Sequence, residues 1–378
     1  MKIGISAFAG DGGRSGIGQY LAQVISRLPD QAPEDRFVVF TTRKAIADLG
    51  LEDPRLEVVA VPDWFEHPLI NIAWHILVLP LMLRQHGCEV IYLPAGNRRL
   101  GWWYGIPSVG TVHDLAQLHV DDKYDGWRML YARRLMPRLM RRLTRVISVS
   151  EATGRDLVGL AGVDQRVVRT IPNGFDQSRF QCLDREEAQL RVAGRWGVSG
   201  PYLLYVARLE HPGKNHVRLL EAFARMRADG LQHQLVLAGS RWSGAEEIES
   251  RARELGLEDS VVFTGFVPNE ALPDLYAAAD IFVFPSLFEG FGIPLLEAMM
   301  ARVPVCASDR ASIPEVVGDA GLLFDPDDPS SIEDRVQQIV SDRHLRDSMV
   351  VAGRQRAETF SWEAAAGRVV GVLREAAA

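Results

Sequence analysis

Cysteine is scarce in this chain of 378 residues, with Cys88, Cys182 and Cys306 lying far apart. There is no C-x-x-C pair and no even-numbered framework, which excludes a disulfide scaffold and offers no zinc site. That usage suits a reducing cytoplasm. No secretory leader is visible either: Lys2 precedes a short apolar strand, then Asp11 and a glycine-rich turn, with no h-region. Long apolar runs are missing. The longest, Leu69 to Leu83, holds Asn71, His75 and Pro80. It falls short of the ~20 residues that span a bilayer, so it predicts a buried helix. The turn Gly10–Gly18 lacks the lysine of G-x-x-x-x-G-K-[ST] and fits G-x-G-x-x-G poorly. A P-loop nucleotide hydrolase and a Rossmann oxidoreductase are therefore disfavoured. Positive charge is in short supply overall, with a net charge of −7, and the deficit lies in one half. Residues 1–175 carry 21 Lys and Arg against 18 Asp and Glu, whereas residues 176–378 carry 21 against 31. The acidic second half argues against nucleic acid as a partner.

What is present is apolar material for two cores: 47% of residues are hydrophobic and 24% charged. At ~100–200 residues per domain, two domains follow. In the second half, six short apolar runs (201–207, 234–239, 261–266, 281–286, 304–308 and 321–325) each precede a segment of helical spacing. That alternation means a parallel sheet covered on both faces, a full doubly wound domain. The first half repeats the theme less regularly, with strands expected at 2–9, 36–42, 56–61, 90–95, 107–114, 145–150 and 167–172. The segment Ile171–Asp176 reads as the crossover. The expected division is 1–173, 174–360 and a terminal helix from 361 to 378 packing back on the first domain.

Ligands of open α/β sheets sit beyond the carboxyl ends of the strands, so the loops there carry the candidates. After the strand at 281–286 comes Phe288-Glu-Gly-Phe-Gly-Ile-Pro-Leu-Leu-Glu297. Gly290 and Gly292 free backbone N–H groups to face a ligand, and Pro294 starts a helix whose N-terminus favours anions. Glu289 and Glu297 would then meet hydroxyls of a sugar or a ribose. Taken alone, they also fit a helix-capping Glu and a surface Glu. After the strand at 201–207, Arg208 and Lys214 bracket a turn set by Pro212 and Gly213. A fixed Arg and Lys form a diphosphate clamp that would neutralise a leaving nucleoside diphosphate. An ordinary basic surface loop is the alternative. Gly16 lies in the first glycine-rich loop, where a plain tight turn is an equal reading. His113 follows the strand at 107–114 and fits a substrate contact or a structural role.

Glu289 and Glu297, with seven residues between them, resemble the E-x7-E motif of retaining glycosyltransferases of family 4, which have the GT-B fold. In that fold two Rossmann-like doubly wound domains face a cleft. The loop Ala207-Arg-Leu-Glu-His-Pro-Gly-Lys-Asn-His216 is similar to that family's phosphate loop, and the likeness covers nearly the whole chain. It implies that Arg208 and Lys214 hold the donor diphosphate and Glu297 the ribose. Glu289 would hold the transferred sugar, helped by the amides of Gly290, Phe291 and Gly292. His113 would contact that sugar near its anomeric carbon, Gly16 would close over the phosphates, and Gly239 and Val267 would flank the base. The first domain would take the acceptor and the second the nucleotide sugar.

The resemblance also implies that anomeric configuration is retained; with no convincing covalent nucleophile in the chain, the expected route to retention is a same-face substitution, without a cofactor or metal. The D-x-D at Asp325 and Asp327 opens a Pro-rich turn after a strand and reads as capping. The overall similarity leans toward mannose from GDP-mannose, with UDP-glucose, UDP-N-acetylglucosamine and a deoxy-sugar donor as alternatives. The acceptor would be a saccharide or a polyprenyl-diphosphate-linked saccharide in polysaccharide or lipopolysaccharide assembly. A nucleotide-sugar epimerase or hydrolase of the same fold is the competing function. Residues 128–145 hold seven arginines, with Leu135, Leu139 and Leu143 each following one, and predict a basic amphipathic helix. Such a helix, with Trp102, Trp103 and Tyr104 as added anchors where they sit nearby, would contact anionic lipid at the inner face of the cell membrane; a solvated face is the alternative.

Overall fold

The computed structural model describes residues 1–8, 15–96, 99–119, 131–181 and 184–378. It contains two compact units. The first is Met1–Gly174 together with Ser361–Ala378, and the second is Phe175–Phe360.

The first unit is built on a parallel sheet of β1 (Lys2–Ser6), β2 (Arg36–Thr42), β3 (Leu56–Val61), β4 (Val90–Leu93), β5 (Ser108–Val112), β6 (Arg145–Ser148) and β7 (Val168–Thr170). The spatial order is β3-β2-β1-β4-β5-β6-β7. Continuous apolar runs such as Phe37–Phe40 and Val90–Leu93 form strands because helices cover both faces of the sheet, so every side chain is buried. The helix Gly16–Gln31 starts at Ser15, whose hydroxyl accepts from the Gly18 amide at 3.2 Å. It lays Ile17, Tyr20, Leu21, Val24, Ile25 and Leu28 inward at helical spacing.

The helix Trp362–Ala377, capped by Ser361, buries Trp362, Ala365, Ala366, Val369, Val370 and Leu373. It lies along the Gly16–Gln31 helix, with Trp362 edge-on to Tyr20 at 5.8 Å and Arg27 paired to Glu363 at 2.7 Å. Gly174 is required where the chain passes this helix, because a Cβ there would overlap the backbone of Trp362.

The second unit is a parallel sheet of β8 (Tyr202–Val206), β9 (Gln234–Ala238), β10 (Val261–Gly265), β11 (Ile281–Phe284), β12 (Val305–Ser308) and β13 (Leu322–Phe324). Its order is β10-β9-β8-β11-β12-β13. In both units the order reverses beside the first strand, between β1 and β4 and between β8 and β11. This is the doubly wound Rossmann arrangement, whose crevice opens at the reversal.

The run Leu69–Leu83 departs from expectation. It is not one buried helix but two, Pro68–Leu77 and Leu79–Gln85, and much of its apolar surface faces water. Leu69, Leu77 and Leu81 are 56%, 67% and 68% exposed. The polar residues point inward because they have partners there. His75 Nε2 and the Ser6 hydroxyl lie 2.8 Å apart, His75 Nδ1 meets the Asn71 carbonyl at 2.8 Å, and Asn71 Nδ2 donates to the Phe65 carbonyl at 2.9 Å. Burial pushes the His75 imidazole down to about 4, so the ring sits neutral. Among the described residues no helix is long and apolar enough to cross a membrane.

The basic segment is described from residue 131; positions 128–130 lie outside the described residues. A π-helical turn, Tyr131–Leu135, leads into the α-helix Met136–Met140, which has Pro137 in its first turn. Leu139 and Leu143 are buried while Arg134, Arg138 and Arg142 are exposed.

Candidate active site

In the second unit the reversal brings the loop after β8 beside the loop after β11. Hydrogen bonds of three residues, Tyr205, Leu287 and Asn215, hold them together. The Tyr205 hydroxyl, at the end of β8, donates to the Lys214 carbonyl at 2.8 Å and lies 2.9 Å from the Ser286 hydroxyl. The Leu287 amide donates to the Gly213 carbonyl at 3.0 Å. Asn215 Nδ2 donates to the carbonyls of Pro285 at 3.1 Å and Pro326 at 2.8 Å. Asn215 can do this because it adopts the left-handed conformation, with φ of 59°, which Asn tolerates better than most residues. The His211–Pro212 peptide within this loop is cis.

This frame brings Lys214 and Glu289 into contact. Lys214 Nζ donates to Glu289 Oε1 at 2.7 Å, with both side chains less than a fifth exposed, at 19% and 17%. The Glu289 loop is fixed from beneath, where the Ser312 hydroxyl meets the carbonyls of Glu289 and Phe291, each at 2.9 Å. Gly292, with φ of 109°, turns the chain into the helix Ile293–Met300, and Pro294 fills its first turn. Glu297 lies one turn along that helix. Its Oε2 accepts from the Tyr276 hydroxyl at 2.8 Å. Burial raises the Glu297 carboxyl above its ordinary range, and the Tyr276 hydroxyl and nearby Arg179 pull it partly back.

Arg208 turns to neighbours other than Glu289. Its guanidinium donates to Glu210 at 3.1 Å and stacks over the Trp242 ring at 4.8 Å. Gly239 follows β9 and must be glycine, since a Cβ would overlap the Ala207 carbonyl. Val267 follows β10 and is buried. Arg208, Lys214, Gly239, Val267, Glu289 and Gly292 thus share the carboxyl edge of one sheet. Asp325 and Asp327 are also engaged. Arg310 bonds Asp325 at 2.7 Å and Asp327 at 3.3 Å, and Arg218 reaches Asp327 at 3.4 Å. Asp325 also accepts from the Asp327 amide at 3.0 Å, so it holds the turn, while Asp328 is the residue that caps the helix Pro329–Ser341.

In the first unit, His113 follows β5 and is buried. Its Nε2 lies 2.7 Å from the Pro94 carbonyl, which can only accept, so that nitrogen carries the proton. Tyr20, on the helix beginning at Gly16, packs edge-on to the ring at 4.7 Å. The rest of the first glycine-rich loop, 9–14, lies outside the described residues. A groove of about 860 Å³ in this unit, lined by Arg155, Arg169 and Arg368 among others, contains none of the candidate residues.

Sequence reasoning overlooked Glu210, Asn215, Trp242, Tyr276 and Ser312. The hydroxyl of Tyr276 is hidden in the apolar stretch Leu272–Ala278, and Ser312 sits in a short connection with no periodic signal. Asn215 adjoins Lys214 and could have been suspected.

Two parallel-sheet domains of this order, with a lysine and two carboxylates at the switch point of the second, are the frame of a GT-B glycosyltransferase. Comparison with known proteins agrees. The family described as Glycosyltransferase Family 4 matches residues 14–179, and Glycosyl transferases group 1 matches residues 187–356. The chain belongs to this group 1, family 4 class of glycosyltransferases. It is 32% identical to the O-antigen chain mannosyltransferase B of Escherichia coli over 265 residues, covering 68% of this chain and 67% of that protein. It is 31% identical to the D-inositol 3-phosphate glycosyltransferase of Corynebacterium jeikeium, covering 71% of this chain and 67% of that one. Among solved structures, that of Anabaena HepE in complex with UDP and glucose superposes with a TM-score of 0.76 at 21% identity, over 99% of this chain and 100% of that one.

Proposed function

We propose that this glycosyltransferase moves a hexose, mannose from GDP-mannose by preference, to a saccharide or polyprenyl-diphosphate-linked saccharide, with retention of anomeric configuration and without a metal. The observation that carries the reading is the Lys214–Glu289 contact at 2.7 Å beside the helix holding Glu297. A diphosphate drawn to Lys214 and Arg208 would bring its sugar to Glu289 and the amides of Gly290, Phe291 and Gly292, and its ribose to Glu297. Gly239 and Val267 would flank the base. In the first unit Gly16 would close over the phosphates and His113 would contact the transferred sugar.

The bond between the anomeric carbon and the diphosphate oxygen breaks as the acceptor oxygen bonds the same face of that carbon. The acceptor hydroxyl proton passes to the departing diphosphate oxygen. Lys214 and Arg208 offset the charge that develops there, in a site where fixed charges act without reorganisation. The ion pairs of Asp325 and Asp327 with Arg310 and Arg218 support the metal-free reading, because that D-x-D is already neutralised by side chains.

The preference for mannose rests on the E. coli mannosyltransferase and on the MMP alpha-(1->4)-mannosyltransferase of Mycolicibacterium hassiacum, to which this chain is 31% identical. The arginine-bearing segment 128–145 would approach an anionic membrane at the inner face, where a lipid-linked acceptor resides.

A thermal-shift panel of GDP, UDP, TDP and ADP, with and without Mg²⁺, on wild type and Lys214→Ala tests the donor site. The expected result is a shift with GDP that is independent of metal and lost in the variant. A shift with UDP alone would overturn the donor assignment, and no shift with any nucleotide would overturn the transferase reading. Turnover of donor without acceptor would favour an epimerase or hydrolase instead.

A further inference from the structure

The outward face of the first unit between β3 and β4 is apolar where a globular protein would be polar. Along the helix Pro68–Leu77 and into the next, Leu69, Ala73, Ile76, Leu77, Pro80 and Leu81 recur at one helical stripe, and that stripe faces solvent. Asn71 and His75 face the core. The helix still buries Trp74, but the side it turns to water is apolar, whereas a surface helix turns its polar stripe to water. The loop from Gly101 to Tyr104 rests on it: a Cβ on Gly101 would strike the His75 carbonyl. That loop presents Trp102 and Trp103, 45% and 69% exposed, whereas Tyr104 is buried and is no surface anchor: its hydroxyl accepts from the Gly101 amide at 2.5 Å. Arg142 stacks over Trp102 at 3.9 Å, which links the apolar stripe to the exposed arginines at 134, 138 and 142. A contiguous exposed apolar surface of this kind marks an interaction site.

We infer that this face, the two helices from Pro68 to Gln85 with Trp102 and Trp103, inserts in the headgroup boundary of an anionic bilayer. Charge selects the occupant. Arg84 is exposed on the second helix and Arg142 is exposed over Trp102, and Arg134, Arg138 and Arg141 are exposed on the segment leading to Arg142, while Asp63 and Glu66 at the start of the face are engaged by the Lys44 amide and the Thr42 hydroxyl. A second copy docked by two-fold symmetry would set arginines against arginines, whereas anionic headgroups complement them. Tryptophans suit the boundary between headgroups and acyl chains. The stripe lies too short to span, so it lies in the plane of the interface. The inference rests on the membrane reading above for its anionic bilayer, its arginines and Trp102 and Trp103, and adds the two apolar helices as the inserting surface; it needs no particular donor or acceptor.

Vesicle flotation of the full chain tests it, using phosphatidylcholine alone and phosphatidylcholine with phosphatidylglycerol. Wild type is expected to float with the anionic vesicles. Leu77→Ser/Leu81→Ser, which alters only exposed positions, is expected to bind on the order of tenfold more weakly or worse at an unchanged melting temperature. Arg138→Ala/Arg142→Ala is expected to lose the preference for anionic lipid. If the leucine variant floats like wild type while the arginine variant does not, the inserting face is refuted and the contact by 128–145 stands. If wild type floats with neither vesicle, both fail. A wild-type dimer in light scattering that the leucine variant abolishes, with no flotation, would assign the face to self-association and overturn the inference.

Discussion

Replacing Lys214 by Ala perturbs two things that can be measured apart. In the free protein it leaves Glu289 without its 2.7 Å partner, at a position only 17% exposed. Exposed ion pairs contribute up to ~1 kcal/mol, and hydrogen bonds to charged groups ~1.5–3 kcal/mol. The partly buried pair falls between them, at about 1–2 kcal/mol. At roughly 2–4 °C per kcal/mol for a domain of this size, the second unit should melt some ~2–8 °C lower. Glu289→Gln retains an acceptor oxygen and should lose less. Calorimetry on both single variants and the double variant closes a cycle whose coupling should be about 1 kcal/mol. In the proposed reaction the same lysine would face the departing diphosphate, and losing one preorganised charge typically costs about 10²–10³ in kcat. Additive stability effects, within ~0.3 kcal/mol, would show that the pair carries no energy. Wild-type kcat in Lys214→Ala would sink the catalytic assignment.

Three further expectations rest on single contacts. Tyr276→Phe removes the donor that steadies a carboxylate already raised by burial, so the Glu297 carboxyl should move further up. Donor KM should rise by roughly fivefold to tenfold, most at acid pH where the carboxylate is lost, with kcat little changed; a KM equal to wild type at every pH would contradict this. Gly239→Ala places a methyl group against the backbone carbonyl of Ala207, where no flexible side chain can yield, and should cost ~1–3 kcal/mol by denaturant unfolding. His75 is held at about 4 against an ordinary value of 6.5. The unfolded chain therefore binds the extra proton first, and stability present above pH 6.5 is lost as pH falls toward 4, at up to ~1.4 kcal/mol per pH unit. His75→Gln should flatten that part of the melting-temperature profile, and an unchanged slope would refute the account.

The strands were legible because a parallel sheet buried on both faces demands continuous apolar runs, and all thirteen expected runs became strands. Loop positions followed from strand ends, so Lys214 and Glu289 were each expected on a loop at the carboxyl edge of the second sheet, but their direct contact was not foreseen because it depends on β8 lying beside β11. Partners joined only by sheet order were not legible. Trp242 beneath Arg208 depends on β8 pairing with β9, and Tyr276 beneath Glu297 depends on how two helices pack. The run Leu69–Leu83 misled because hydropathy does not say which face turns inward. There the core takes Asn71 and His75, through their hydrogen bonds, beside Trp74, Leu79 and Leu83, and leaves Leu69, Leu77 and Leu81 outside.

The helix Trp362–Ala377 belongs to the first unit although the whole of Phe175–Phe360 separates it from that unit's strands. During synthesis the first sheet therefore emerges with one flank of Tyr20 uncovered and the backbone at Gly174 unopposed. The inserted unit, whose contacts are all encoded between its own ends, can complete its core while the first still lacks its closing helix. Because domains fold as units, the segment translated first cannot be finished until the helix Trp362–Ala377 has been made.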